Sequence, residues 1–203
     1  MVSSAKENIL KRIRQALSNP VPLPFPQSEG VNSVFLPPAD EAEIIFAQEF
    51  TRLGGKFAFC TSEEDMINQV KELFDSRQWT KIYCAEKKFN NQFSNTINLE
   101  SCDAALTGCE YLVARTGTIV MSAAQETGRT TSVYSPVHIC VAYTNQLVYD
   151  VKDGLQSLKE KYALAFPSLV TFASGPSRTA DIEKTLVTGV HGPKEVYCFL
   201  IES

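Results

Sequence analysis

The sequence predicts an α/β protein built on a mostly parallel, Rossmann-like sheet flanked by helices. Two observations carry this. Between residues 40 and 97 amphipathic helical patterns alternate with short apolar strands, an order that implies parallel strands joined by right-handed crossovers. Further on, residues 137–143 and 196–201 are apolar runs of strand length, and the first reads as fully buried.

In chain order, residues 4–17 read as a helix. Ile9, Leu10, Ile13, Ala16 and Leu17 fall at near-helical spacing with lysines and arginines between them, and Ser3 or Ser4 can cap it. Its apolar stripe needs a surface: its own domain, a partner or a dimer mate. Residues 18–38 hold six prolines (Pro20, Pro22, Pro24, Pro26, Pro37 and Pro38). Alternating Pro-x-Pro forbids a helix and favours an extended connector. The expected organisation is therefore an N-terminal helix (1–17), a proline-rich linker (18–38) and one α/β domain (39–203).

Within that domain residues 40–53 predict a helix capped by Asp40, with Ile44, Ile45, Phe46, Phe50 and Leu53 as its apolar face and Gly54-Gly55 as its stop. A strand at 56–60 follows. Ser62, with Asp65 three residues on, caps a helix carrying Met66, Ile67, Val70, Leu73 and Phe74. A strand at 81–85 and a helix within 86–97, around Phe89 and Phe93, come next. The centre is more broken: short strands at 103–106, 111–114 and 117–122 are interrupted by Thr107-Gly108 and Thr116-Gly117-Thr118. Residues 122–135 read as a polar loop or short helix. Residues 152–163 form an amphipathic helix with Leu155, Leu158 and Tyr162 inside, and strands at 169–173 and 196–201 complete the set.

Composition narrows the function. At 203 residues, 44% hydrophobic and 21% charged, the chain suits one domain with an extension. A net charge of −4 argues against nucleic acid as the main partner. The first 17 residues lack the apolar run of a signal peptide, and no stretch approaches the ~20 apolar residues of a membrane helix. A cytoplasmic protein is expected. Of the six cysteines none forms C-x-x-C, so neither a zinc site nor a bound iron–sulfur cluster is expected. Cys60, Cys84, Cys140 and Cys198 sit in strand-like runs and read as core. Cys102 and Cys109 flank a loop, the one pair to consider, and are expected to be free thiols.

In an open parallel sheet, ligands bind beyond the carboxyl ends of the strands. Three polar loops are candidates for such a position. They offer Thr116, Gly117 and Thr118; then Glu126 and Arg129; then Gly175, Ser177, Arg178, Thr179 and Asp181. Hydroxyls, guanidinium groups and close-approaching backbone suit a phosphate, a carboxylate or a thioester-bearing ligand. The candidates for chemistry are Glu126 and His191, the latter in a Gly-rich turn. His138 opens an apolar strand and reads as structural. Two histidines so far apart give no metal-ligand spacing, and no G-x-S-x-G elbow, Walker loop or G-x-G-x-x-G is present. Arg178 and Asp181 can alternatively pair with each other across one helical turn.

The run from Gly175 to Glu183, followed by Gly189-Val190-His191-Gly192-Pro193, resembles the C-terminal signature of the lactate utilisation protein C family, the LUD domain. Thr116-Gly117-Thr118-Ile119-Val120 and Pro136-Val137-His138-Ile139 resemble its central motifs, in the same order. The resemblance implies a fold like that of the sugar-phosphate isomerase and CoA-transferase superfamily. It also implies a part in oxidising L-lactate to pyruvate beside iron–sulfur partner proteins that carry the clusters, leaving none on this chain. Arg115 departs from the acidic residue associated with the family before Thr-Gly-Thr. Three roles stay open: a non-redox subunit binding a small organic or phosphorylated anion or a partner; a stand-alone CoA-transferase or isomerase-like enzyme using Glu126, with Arg129 and Arg178 on the substrate anion; and a regulatory or scaffold protein that uses the N-terminal helix to hold a partner, a second copy in a homodimer being one candidate.

Overall fold

A computed structural model describes residues 4–18, 38–93, 98–180 and 186–203. Nearly all of the proline-rich stretch, and Asp181, lie outside the described residues. The chain divides into two units after Pro37. The described part of the first is helix α1 (Ser4–Leu17), with Lys6, Lys11, Arg12 and Arg14 interleaved with Ile9, Leu10 and Ile13.

The second unit begins with α2 (Ala42–Arg52), β1 (Lys56–Cys60), α3 (Glu63–Arg77), β2 (Ile82–Cys84), α4 (Lys87–Phe93) and β3 (Ala104–Thr107). It continues with β4 (Tyr111–Val113), β5 (Thr118–Ser122), α5 (Thr131–Tyr134), β6 (Val137–Tyr143), β7 (Leu147–Val148), α6 (Val151–Tyr162) and β8 (Val170–Ala173). It ends with β9 (Arg178–Ala180), β10 (Leu186–Thr188) and β11 (Glu195–Ile201).

The expected parallel sheet is present, in the order β1-β11-β6-β3-β2 with every pairing parallel. At its centre β11 and β6 run in register from Glu195↔Val137 to Ile201↔Tyr143. Both strands are apolar throughout because both sheet faces are covered. On one face, α3 and α4 bring Met66, Val70, Phe74, Phe89 and Phe93 onto Leu106, Ile139, Val141 and Phe199. On the other, Phe46 and Phe50 of α2, with Leu112, Ile119 and Met121, pack on Cys140, Ala142, Cys198 and Leu200.

That second face departs from the sequence reading. Strands β4, β5, β7 and β8 do not extend the parallel sheet; they form a second, four-stranded sheet in the order β7-β4-β5-β8. The reason is local. Only Ala114 to Gly117 separate β4 from β5, which permits an antiparallel hairpin but no parallel crossover. The strand β8 also lies antiparallel to β5. The helix α6 covers the far side of this sheet through Leu158 against Val113 and Val120. Its N-cap is Asp150, in a capping box with Asp153.

Smaller expectations also shift. Ser62 caps α3 as predicted, accepting from the Asp65 N–H at 3.1 Å. The α2 N-cap, however, is Glu41, and Asp40 instead accepts from the Glu41 N–H at 2.9 Å. Ile44, placed on the buried face, is 40% exposed, while Phe46 and Phe50 are fully buried. All six cysteines are free and buried. Cys109 lies with Cys140 in the inter-sheet core, and the neighbouring Cys140 thiol, together with burial, raises its pKa well above the ordinary value.

Candidate functional site

Two stretches far apart on the loop map are zipped together. The Ser177 N–H donates to the Pro193 carbonyl and the Gly189 N–H to that of Ser177, both at 3.0 Å, and the Lys194 N–H donates to the Pro136 carbonyl at 2.8 Å. Two glycines make the approach possible. Gly175, at φ 81°, lies so close to α2 that a Cβ there would meet the Leu53 carbonyl oxygen at 2.8 Å; at Gly192 it would meet the Ser177 Cβ at 2.9 Å.

This zipper closes one end of the gap between the two sheets and leaves a chamber of about 150 Å³. Its floor is His138 and Val196 from the parallel sheet, and its roof Met121, Thr171 and Ala173 from the second sheet. Its sides are Ser132 and Val133 from α5 and Gly175, Ser177, His191, Gly192 and Pro193 from the zipper. An outer chamber of about 430 Å³ adjoins it, sharing Val133, His191 and Gly192 and adding Tyr134, Ser135, Pro136, Gly189, Val190 and Lys194.

The chemistry of the walls is distinctive. Among the described residues no Asp or Glu lines either chamber, while Lys194 brings a positive charge to the outer one. Ser135 is 1% exposed and its hydroxyl has no hydrogen-bond partner, an uncommon state for a buried polar atom. His138 is equally buried, and burial pushes its pKa down to about 4, so the ring is neutral at pH 7. Its Nε2 lies 2.8 Å from Thr107 Oγ1, and that hydroxyl donates to the Gly108 carbonyl at 2.9 Å. A larger concavity of about 620 Å³ lies over Ile44, Phe57 and Phe59, but Glu41, Glu43 and Glu202 line it and disfavour an anion.

Of the sequence-predicted residues, Gly175, Ser177 and His191 line the inner chamber. The others go elsewhere. Gly117, at φ 54°, packs on the α2 backbone, where a Cβ would stand 2.5 Å from the Phe50 nitrogen. Thr118 is buried and shares hydrogen bonds with Thr116 at 2.8 Å and Ser174 at 2.7 Å. Arg178 donates to the Leu53 carbonyl at the end of α2, and Thr179 pairs with Val187 in the β9–β10 hairpin. Arg178 stands in the strand β9, and Asp181, its alternative partner, lies outside the described residues. Arg129 donates to Ser168. Glu126 accepts from the Lys87 N–H at 2.7 Å and pairs with its ammonium at 2.9 Å, bonds that lower its pKa. Arg115 pairs with the buried Asp150 at 2.6 Å. Asp150 is pulled up by burial and, more strongly, down by Arg115 and the Lys152 N–H.

The site also sits at the opposite end of the sheet from the one expected. His138 and Val196 are the second residues of β6 and β11, so the chambers open at the amino ends of these strands. The sequence reading passed over His138 as structural and did not single out Ser132, Ser135, Thr171 or Lys194. The one available signal was the Ser135-Pro136-Val137-His138 run, where hydroxyl and imidazole precede or enter a buried strand. Among the described residues no group of three or more His, Cys, Asp or Glu side chains could hold a metal ion, and no helix is long and apolar enough to cross a membrane.

Comparison with known proteins adds a lineage. The family model of the LUD domain matches residues 45–201. The lactate utilization protein C of Deinococcus radiodurans is 36% identical over 104 residues, 51% of this chain and 48% of that protein. That of Halalkalibacterium halodurans is 35% identical over 104 residues (50% and 45%), and that of Bacillus subtilis 28% over 109 (53% and 45%). The matched stretches thus span about half the length of these curated relatives. The crystal structure of a DUF162 family protein from Deinococcus radiodurans superposes with a TM-score of 0.60 at 18% identity, covering 79% of this chain and 96% of that one. This likeness supports the fold.

Proposed function

The chain belongs to the LUD-domain family, and on that premise we propose that it serves lactate utilisation in the cytoplasm by binding a small organic anion. It acts beside iron–sulfur partner proteins that carry the electrons. The names of its relatives supply the pathway. The observation that carries the binding role is the pair of joined chambers: no lining carboxylate among the described residues, one lysine, and a buried serine hydroxyl with no partner. A buried donor without an acceptor costs about 1–3 kcal/mol, which a bound carboxylate oxygen would recover. The inner chamber holds the volume of about five waters, the scale of a three- or four-carbon acid and far too small for a CoA ester. The transferase reading has no comparable support, since Glu126 is engaged with Lys87 and lines neither chamber.

Thermal unfolding of the full chain with L-lactate, pyruvate, ribose 5-phosphate or acetyl-CoA tests this. An anion at 100 times its Kd stabilises by about 2.7 kcal/mol, or about 5–10 °C for a chain of this size. L-lactate or pyruvate should produce that shift, and Lys194→Met should reduce it. No shift with either acid would overturn the proposal.

A further inference from the structure

We propose that His138 makes the inner chamber selective for a hydroxy acid over the corresponding oxo acid, by presenting an unprotonated Nδ1 to the ligand's hydroxyl group. This rests on the chambers being the site of a small organic anion.

The argument is an accounting of protons. The Thr107 hydroxyl has one proton, and it goes to the Gly108 carbonyl at 2.9 Å. With that hydrogen on the carbonyl, which can only accept, Thr107 Oγ1 is the acceptor toward His138, 2.8 Å away, and the hydrogen of the pair is assigned to Nε2. A neutral imidazole has a single N–H, so Nδ1 is left with its lone pair. Burial keeps the ring neutral, as its lowered pKa of about 4 reflects.

The remaining polar walls do not discriminate. Ser132, Thr171 and Ser177 bear hydroxyls, which rotate to donate or accept as the ligand requires, and the His191 imidazole, with no partner among the described residues fixing its tautomer, can present either an N–H or a lone pair. His138 has no such freedom. Its one hydrogen is committed to Thr107, so toward a ligand it can only accept. A hydroxy acid offers a hydroxyl hydrogen, whereas an oxo acid sets a carbonyl lone pair against the Nδ1 lone pair. At a ring that is 1% exposed that mismatch leaves two acceptors unpaired, and sites built to bond a substrate hydroxyl reject analogues that lack it. Thr107 is a positioning residue: it acts through the imidazole tautomer and does not line the chamber.

Isothermal calorimetry on the full chain at pH 7.5 compares L-lactate with pyruvate. The wild type should bind L-lactate at least about tenfold more tightly, the factor expected for one hydrogen bond lost. Thr107→Ser keeps the hydroxyl and should keep that ratio. Thr107→Val removes the acceptor that fixes the tautomer and should bring the two affinities together. Nitrogen-15 NMR of His138 in the wild type, which needs no variant to fold, should show the hydrogen on Nε2. Equal affinities in the wild type, or a hydrogen on Nδ1, would overturn this inference and leave the anion site standing. Binding of neither acid would overturn the anion site and this inference with it.

Discussion

Replacing His138 by glutamine should remove a specific loss of stability in mild acid. The folded-state pKa of about 4 lies below the ordinary 6.5, so as pH falls the unfolded chain takes up this proton first. The stability linked to the neutral ring is complete above pH 6.5 and is lost as pH falls toward 4. Each pH unit between those values is worth about 1.4 kcal/mol, so the drop from pH 7.5 to pH 5.0 costs about 2 kcal/mol. The ring is 1% exposed, and solvent gives it little relief. Glutamine does not titrate and can still donate an amide hydrogen to Thr107. Urea unfolding at pH 7.5, 6.5, 5.5 and 5.0 and fixed ionic strength measures the difference. Carboxylates such as Glu110 and Asp150 are common to both proteins and cancel. The wild type should lose about 2 kcal/mol more than His138→Gln across this range. Parallel losses would refute the reasoning, because they would mean the imidazole titrates alike in folded and unfolded chains.

Two other substitutions separate scaffold from site. Gly117→Ala combines a left-handed backbone with a Cβ only 2.5 Å from the Phe50 nitrogen, and should cost about 2–5 kcal/mol in urea unfolding; a loss below about 1 kcal/mol would show that α2 yields there. Arg178→Ala should cost about 1 kcal/mol through its lost bond to the Leu53 carbonyl and leave L-lactate affinity unchanged by calorimetry. Loss of affinity with unchanged stability would return Arg178 to the site.

Much of the fold was legible because its signals are local. Phe46 and Phe50 at helical spacing, Ser62 before Asp65, and the apolar run of β11 each depend on neighbours within a few residues. The partition into two sheets was not legible, since a short apolar strand reads alike in a parallel and an antiparallel sheet. What decides it is the connection, and Thr116-Gly117-Thr118 was read for ligand chemistry when its glycine is required by the approach of α2. Hydroxyl and arginine residues beside glycines are ambiguous for the same reason: Thr118 and Arg178 satisfy backbone and side-chain partners in the protein itself. Ser135 and His138 are the reverse case. They look like the start of a buried strand, and only the packing shows one hydroxyl without a partner and one buried imidazole held against Thr107.

The displacement of the site follows from the same partition. The carboxyl-end rule holds where each loop leaves one parallel strand to reach a helix. Here the segment after β8 leaves the second, mixed sheet at a strand antiparallel to β5 and returns, through the paired strands β9 and β10 and the His191–Pro193 turn, to the amino end of β11 in the parallel sheet. In crossing from one sheet to its neighbour this segment closes one end of the gap between them. A cavity formed there draws walls from both sheets, as Met121 and Thr171 on one side and His138 and Val196 on the other do. It is also flanked by the turn that needs glycine to make the crossing. The Gly/Pro-rich signature is therefore the seam between two sheets, and its Gly175, Ser177 and His191 share the inner chamber with the strand residues that the seam encloses.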